Sequence, residues 1–322
     1  MVLGIDFGGS KIAAAAAGLD GAVAIERVVE TDAALGAAAN LDRCLELARG
    51  LLAEVAAGPG CGGAPVHLLA VGACTFGIPH EHGVALSPAI PGWDELPLAR
   101  QLAGAFGVPV TVLTDVKAAA AAEARAGALD GADPGLYLNL GTGLAAAIVQ
   151  GGEVVTGAHG ASGEIGYCLR TPDDVRIVAP AAPAGPILED LVSGMGLSAA
   201  LAGVEGDGSS PARRLAASEV FERAATEPAL GSIVRQFLTE LAFHLVNLTI
   251  AIDPDRIAVG GGMVGSWDVI GPALHAALQA HVPYPPELVL GAFPYDAALR
   301  GAVDAGLQLA AQTAVSQEVA VQ

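Results

Sequence analysis

The sequence predicts an α/β protein of duplicated design, with two domains and a cleft between the halves. Three observations carry this. The chain has 322 residues, more than one hydrophobic core usually serves, so two domains are expected. Two segments share one hairpin pattern, "LGIDFGGSKIAAAAAGLDGAV" from Leu3 and "LYLNLGTGLAAAIVQGGEVV" from Leu136. The remainder alternates strand-like and helix-like stretches, the signature of α/β architecture.

In the first hairpin an apolar alternation carries Asp6, turns through Gly8-Gly9-Ser10, continues as an apolar strand and reverses at Asp20-Gly21. The second carries Asn139, turns through Gly141-Thr142-Gly143 and reverses at Gly151-Gly152. Such glycine turns between apolar runs are hairpin signals. The offsets differ by a residue or two, so the likeness is structural rather than a strict repeat. Between the hairpins, Asn40 to Ala57 reads as a helix with Leu41, Cys44, Leu45, Ala48 and Leu52 on one face. "HLLAVGACTFGIP" reads as a buried strand leading into a loop. "VPVTVLTDV" reads as another strand, followed by the helix "KAAAAAEARAG" ending at Gly127. Farther on come a long apolar helix, "GSIVRQFLTELAFHLVNLTIAI", and a strand breaking into glycines, "RIAVGGGMV". The helix "PYDAALRGAVDAGLQLAAQTA" and a loose tail, "VSQEVAVQ", end the chain. Residues 172–186, rich in Pro and Ala, read as a loop.

Aromatic residues make up only 4%, so the cores must be packed closely from Ala, Val, Leu and Ile. A formal charge of −19, from 34 acids against 15 bases, repels phosphate backbones and disfavours nucleic acid as a partner. It leaves room for a phosphorylated ligand, because main-chain N–H groups can hold phosphate inside an acidic protein. Cys44, Cys61, Cys74 and Cys168 form neither a CxxC pair nor a metal-finger spacing, so they read as free thiols of a reducing compartment. The apolar runs are interrupted before membrane-span length, and "MVLGIDFGG" enters a strand without a basic leader region. A cytoplasmic protein with no membrane partner is expected.

Glycine-rich turns after strands let main chain approach phosphate oxygens closely. Gly8-Gly9, Gly141 with Gly143, and Gly260-Gly261-Gly262 are three such turns. Either hairpin alone reads equally well as a plain turn; the three together point to a nucleotide, with ATP the expected cofactor. Asp6 is suited to hold Mg2+ through water against its phosphates, while Ser10, Lys11 and Thr142 add hydroxyls and a cation. No GxxxxGK[ST] or GxGxxG stretch is present, which disfavours a P-loop or Rossmann cofactor site. Asp115, at a strand's end before a helix, suits a general base. Alone it reads first as an N-cap, and the roles are compatible. His80 and His82 read as solvated loop residues, since no third ligand lies at useful spacing. In "TGAHGASGEIGYC", Glu164 reads as a turn tip, a metal ligand or a substrate contact.

These motifs together resemble a family. "LGIDFGGSKIAAA", "SPAIPGWDELPL", "TDVKAAAAAEARAG", "NLGTGLAAAIVQGGEVVTGAHGASGEIGY" and "DPDRIAVGGGMV" are similar, in order, to the motifs of the ROK family. That family comprises bacterial sugar kinases and related repressors on the actin-like, hexokinase-like ATPase fold of ribonuclease H-like type. The resemblance implies residues 1–116 as a first domain, with helix 297–314 packing back on it, and 117–296 as a second. It implies that Asp6, Gly8, Gly9 and Ser10 form the first phosphate motif and Gly141, Thr142 and Gly143 the second. Gly260, Gly261, Gly262 and Met263 form the adenosine motif. Asp115 becomes the base that deprotonates the sugar's primary hydroxyl. Glu164 and Glu189 become sugar contacts, and Ser87, Pro88, Thr114 and Tyr167 pocket residues. A homo-oligomer, a dimer by analogy, is also implied.

The departures from the pattern fall in the pocket. Tyr167 replaces the histidine of the family's GExGH motif, and only Cys168 remains of its cysteine run, so no structural zinc site is expected. Thr114 stands for an Asn, Ala89 for an Asn and His80 for a Gly. The expected activity is ATP- and Mg2+-dependent phosphorylation of the C6-type hydroxyl of a hexose-like acceptor. The altered pocket favours an amino sugar or C7-cyclitol over the alternative, ordinary glucokinase. An inactive sugar sensor is a further alternative. A repressor is disfavoured, because Asp6 leaves no room ahead for a helix-turn-helix and the charge opposes DNA.

Overall fold

The computed structural model describes residues 1–57, 67–175, 187–205 and 217–321. Residues 176–186 of the expected Pro/Ala-rich loop, and Cys61, lie outside the described residues. The chain divides into two compact units. The first comprises Met1–Ala122, Thr156–Ala161 and Asp296–Gln322; the second comprises Glu123–Val155 and Ser162–Tyr295.

The first unit is built on strands β1 (Val2–Phe7), β2 (Lys11–Ala17), β3 (Val23–Glu30) and β4 (Ala70–Thr75). A short hairpin follows, β5 (Ile78–His80) and β6 (Gly83–Ala85), and then β7 (Val110–Thr114). The main sheet has the order β3-β2-β1-β4-β7, with β1 antiparallel to β2 and parallel to β4, and β4 parallel to β7. Its helices are α1 (Gly36–Ala57), α2 (Leu98–Phe106), the start of α3 (Asp115–Ala126) and the C-terminal helix Ala297–Val321.

Alanine is a weak strand former by propensity, yet β2 reads KIAAAAA and is buried from Ile12 to Ala17. The reason is packing on both faces. Ala14 and Ala16 face a core shared with Leu41, Cys44 and Ala48 of α1. Ala13, Ala15 and Ala17 face Leu299, Val303 and Ala310 of the C-terminal helix. Small side chains let a helix lie close on each side. At Gly72 the approach is closest: a Cβ there would stand 1.9 Å from the Ala302 carbonyl oxygen. The tail read as loose is instead helical through Val321. No Pro interrupts it after Ala297 and no Gly after Gly306, and Ala, Gln and Glu sustain helix.

The second unit repeats the plan. Strands β8 (Gly135–Leu140), β9 (Leu144–Gln150), β10 (Glu153–Val154), β11 (Arg256–Gly260) and β12 (Glu287–Leu290) form a sheet of order β10-β9-β8-β11-β12. Again the first hairpin is antiparallel and the next two neighbours are parallel. Position for position, Asn139 takes the place of Asp6, and Gly260 pairs with it as Cys74 pairs with Asp6. Helices α4 (Gly194–Glu205), α5 (Ala217–Ala224), α6 (Pro228–Ile252) and α7 (Trp267–His281) belong to this unit. Leu230, Val234, Phe237, Leu241 and Leu245 of α6 bury one helical stripe in a core shared with Leu136, Leu138 and Leu140 of β8. A cavity of about 630 Å3 lies along α6 and α7, lined by Phe243, Val246, Asn247 and Ala277 among others. It contains none of the predicted site residues. Among the described residues no helix is long and apolar enough to cross a membrane.

Candidate active site

In each unit the predicted nucleotide residues, and Asp115 in the first, stand at or just beyond the carboxyl ends of strands that have parallel neighbours, where open α/β sheets bind ligands. In the first unit these ends belong to β1, β4 and β7. Asp6 is the penultimate residue of β1, and Asp115 follows β7 as the first residue of α3. β4 lies between them, pairing Asp6 with Cys74 and Thr75 with Thr114. At the usual strand spacing the two aspartates are separated laterally by about 10 Å.

Asp6 is half-buried at the end of β1, and burial raises its carboxyl above the usual range, opposed by the Cys74 hydrogen bond and the Lys11 charge. The Cys74 thiol donates to Asp6 Oδ1 or to the Ala298 carbonyl, each at 3.4 Å. Burial, then the Asp6 and Asp115 charges, push that thiol well up, so it stays protonated as a donor. Beyond Asp6 the chain turns, with the Gly8 N–H donating to the Lys11 carbonyl at 2.9 Å. Gly9, Ser10 and Lys11 are exposed at its tip. Thr31 fastens the turn, its hydroxyl donating to the Gly8 carbonyl at 2.8 Å.

The N-cap role that Asp115 could have filled belongs to Thr114. Its hydroxyl accepts from the Lys117 N–H at 3.3 Å, while Asp115 Oδ1 accepts from Val116 N–H at 2.8 Å. Thr114 is 4% exposed, so the residue standing for the family's Asn has a helix-capping contact. Ser87 is likewise buried, its hydroxyl donating to the Val84 carbonyl, and Pro88 is exposed beside it. The loop that carries both is anchored by Trp93. Its indole N–H donates to the Thr75 hydroxyl at 3.0 Å, and its ring stacks on Phe76 at 5.3 Å. Exposed His80 and His82 lie at the β5–β6 turn.

In the second unit Gly141, Thr142 and Gly143 join β8 to β9, with Thr142 exposed at the tip. The Gly141 N–H donates to the Gly143 carbonyl at 3.1 Å. Glu189 braces this turn: its Oε2 accepts from the Leu144 N–H at 2.7 Å and lies 2.5 Å from where a Gly143 Cβ would be. On the adjacent strand, Gly260 ends β11 and Gly262 is exposed. Gly261 has φ +91°, and a Cβ there would fall 2.5 Å from the Leu140 carbonyl oxygen. Only glycine fits this cradle, which lets main chain meet a flat or anionic ligand. The Met263 side chain is 3% exposed within the core, so that position offers its main chain. Glu164 precedes the 3-10 turn Ile165–Tyr167. The Tyr167 hydroxyl is held above its usual range by burial and by the Glu189 and Glu164 carboxylates, which groups these three acidic side chains. Cys168 is partly buried, its thiol raised by burial.

The donor set suits a nucleotide with magnesium. Exposed glycine turns and the hydroxyls of Ser10 and Thr142 can meet phosphate, and Asp6 is a carboxylate whose buried charge a cation would relieve. Sequence reasoning missed Cys74, Lys117 and Trp93 as supports. The signal for Cys74 lies in parallel strand register, which no local pattern reveals.

The duplicated sheets, each with its motifs at one edge, define a member of the actin-like ATPase fold. Residues 2–304 match the ROK family, and the chain belongs to it. It is 34% identical over 220 residues to the bifunctional enzyme NanE/NanK of Brucella melitensis, a match covering 67% of this chain and 38% of that protein. The matched stretch thus spans well under half of that relative's length. N-acetylmannosamine kinase of Shigella flexneri is 27% identical over 310 residues, 94% of this chain and 96% of its own. The structure of a ROK family glucokinase from Streptomyces griseus in complex with glucose and AMPPNP superposes with a TM-score of 0.68. It shares 25% identity, with 95% of this chain and 99% of that one covered.

Proposed function

We propose that the protein is an ATP-dependent kinase that phosphorylates the primary, C6-type hydroxyl of a hexose or hexose-like acceptor. The observation that carries this reading is the placement of Asp6 and Asp115 at one sheet edge on either side of β4. One carboxylate suits a cation and the other a proton. Asp115 accepts the proton of the acceptor hydroxyl as it attacks the terminal phosphorus. It stands as the first residue of α3, directly after the carboxyl end of β7. Gly9, Ser10, Lys11, Thr142 and Gly262 hold phosphate and nucleotide, and Mg2+ near Asp6 supplies charge neutralisation. Glu164, Tyr167 and Glu189 meet the acceptor's hydroxyl or amino groups.

The acceptor favoured by this pocket is an amino sugar or a C7-cyclitol. The kinship with an N-acetylmannosamine kinase over nearly the whole chain supports the first. Likeness to a glucokinase keeps glucose as the second reading. The test is ADP release with glucose, N-acetylmannosamine, glucosamine and a hydroxymethyl cyclitol, with and without Mg2+. Wild-type turnover of one of them is expected, with Asp115→Asn reducing kcat by about 10^3 or more while ATP binding persists. An Asp115→Asn enzyme of normal rate would refute the assignment. ATP binding without turnover on any acceptor would favour the inactive sensor. Self-association as a dimer is proposed alongside, to be read by sedimentation equilibrium.

A further inference from the structure

Lys117 lies inside the alanine run of α3, where its neighbours are small and apolar, and is 4% exposed. Burying an ammonium costs free energy unless a partner compensates. The structure supplies one: Nζ donates to the Gly160 carbonyl at 2.8 Å. Gly160 belongs to Thr156–Ala161, which packs with the first unit although the chain on both sides of it belongs to the second. That segment ends at the turn that presents Glu164. Three residues beyond Gly160, the Gly163 carbonyl accepts from the Ala146 N–H of β9 at 2.8 Å. The backbone before Glu164 is therefore pinned twice within four residues, at Gly160 by a buried ammonium and at Gly163 by a strand. The same Lys117 donates its own N–H to the Thr114 cap, so its main chain is fixed as well.

We propose that Lys117 is a positioning residue for the acceptor. It holds the 156–161 segment in place and, through it, the main chain that carries Glu164. This rests on the kinase reading for its consequence but not for the bond itself. A charge-assisted bond to a carbonyl is stronger than a neutral one, which suits a strap held at Gly160.

The experiment compares wild type, Lys117→Met and Lys117→Arg as full chains. Hydrogen exchange of peptides spanning 156–165 is measured first, without ligand. Lys117→Met is expected to raise exchange there at least about tenfold, leave peptides of β8 and α6 unchanged, and be partly rescued by Arg. Unchanged protection of 156–165 in the Met variant overturns the proposal. Steady-state rates are then measured with N-acetylmannosamine and with glucose. A rise of about tenfold or more in acceptor KM, with ATP KM and kcat within about threefold, is expected. Equal rises in both KM values overturn the acceptor role. If wild type turns over neither sugar, the kinase reading fails on these acceptors while the exchange data still decide the strap. Should the Met variant lack a cooperative melt, Lys117→Gln, which keeps an N–H donor without charge, carries the same comparison.

Discussion

Glu123 offers the sharpest test of how the second unit is held. Its side chain is fully buried, and its two oxygens accept from the N–H groups of Ala128 at 2.6 Å, Ala292 at 3.0 Å and Phe293 at 2.8 Å. One carboxylate thus ties the end of α3 to the chain leaving β12. Two glycines make room for it. A Cβ at Gly127 would lie 2.2 Å from Oε2, and one at Gly291 2.7 Å from Oε1. Hydrogen bonds to a charged group are worth about 1.5–3 kcal/mol each, so their gross sum is about 5–9 kcal/mol. Desolvating the carboxylate offsets part of this, and truncation leaves buried N–H groups unpaired. A net loss of about 3–5 kcal/mol is expected for Glu123→Ala, as for other broken buried charge networks. At about 2–4 °C per kcal/mol for a unit of this size, Tm should fall by about 6–20 °C. Glu123→Gln keeps one carbonyl acceptor and turns an amide donor toward a donor, so it should lie between. Calorimetry on the three proteins reads this directly. A Glu123→Ala protein melting within about 2 °C of wild type would show that the three short contacts carry no net stability.

Trp93→Phe should keep the ring packing on Phe7 and Phe76 but remove the N–H donated to Thr75, costing about 1–3 kcal/mol in urea unfolding; no change in midpoint would contradict this anchor. Gly261→Ala forces a Cβ toward the Leu140 carbonyl at positive φ and should cost about 1–3 kcal/mol, with weaker binding of a fluorescent ATP analogue; unaltered affinity would remove this cradle from the nucleotide site. Acid should destabilise through His244 and Glu240. Burial holds the His244 imidazolium below its usual 6.5 despite the nearby Glu240 charge. Burial would raise Glu240, but the Arg170 hydrogen bonds, both 2.6 Å, and the Gln236 bond bring it below its usual 4.5. Both groups have folded values below unfolded ones, so their contributions are present above the unfolded values and lost as pH falls through the folded ones. The Tm of wild type should decline in two stages, below 6.5 and below 4.5; an unchanged upper stage in His244→Asn would exclude that residue.

Much of this was legible in residues whose signals are local. The two hairpins announce themselves by glycine turns between apolar runs, and the matching sheets follow from them. The position of Asp115 at a strand's end before a helix was readable, but Thr114 beside it is also a cap former, and which of the two caps α3 depends on side-chain geometry that the sequence does not encode. Lys117 and Glu123 were hidden in an alanine-rich helix, where periodicity says little about which polar side chain turns inward. The β5–β6 hairpin escaped because "IPHEHGVA" is too short and polar to show a strand's alternation. The helical tail escaped because its residues carry no stop signal. The roles of Ser87 and Glu189 in bracing loops depend on long-range contacts that spacing along the chain does not encode.

The C-terminal helix covers the alanine face of β2 and presses on Gly72, with a consequence for biosynthesis. As the ribosome extends the chain, every strand of the first sheet emerges long before residues 297–321 do. Until then a smooth sheet of Ala13, Ala15, Ala17 and Ala70 faces water without its lid. Nascent chains stalled before that helix should therefore be chaperone-bound or protease-sensitive in the first sheet, and emergence of the helix should complete a part of the fold whose strands were made much earlier.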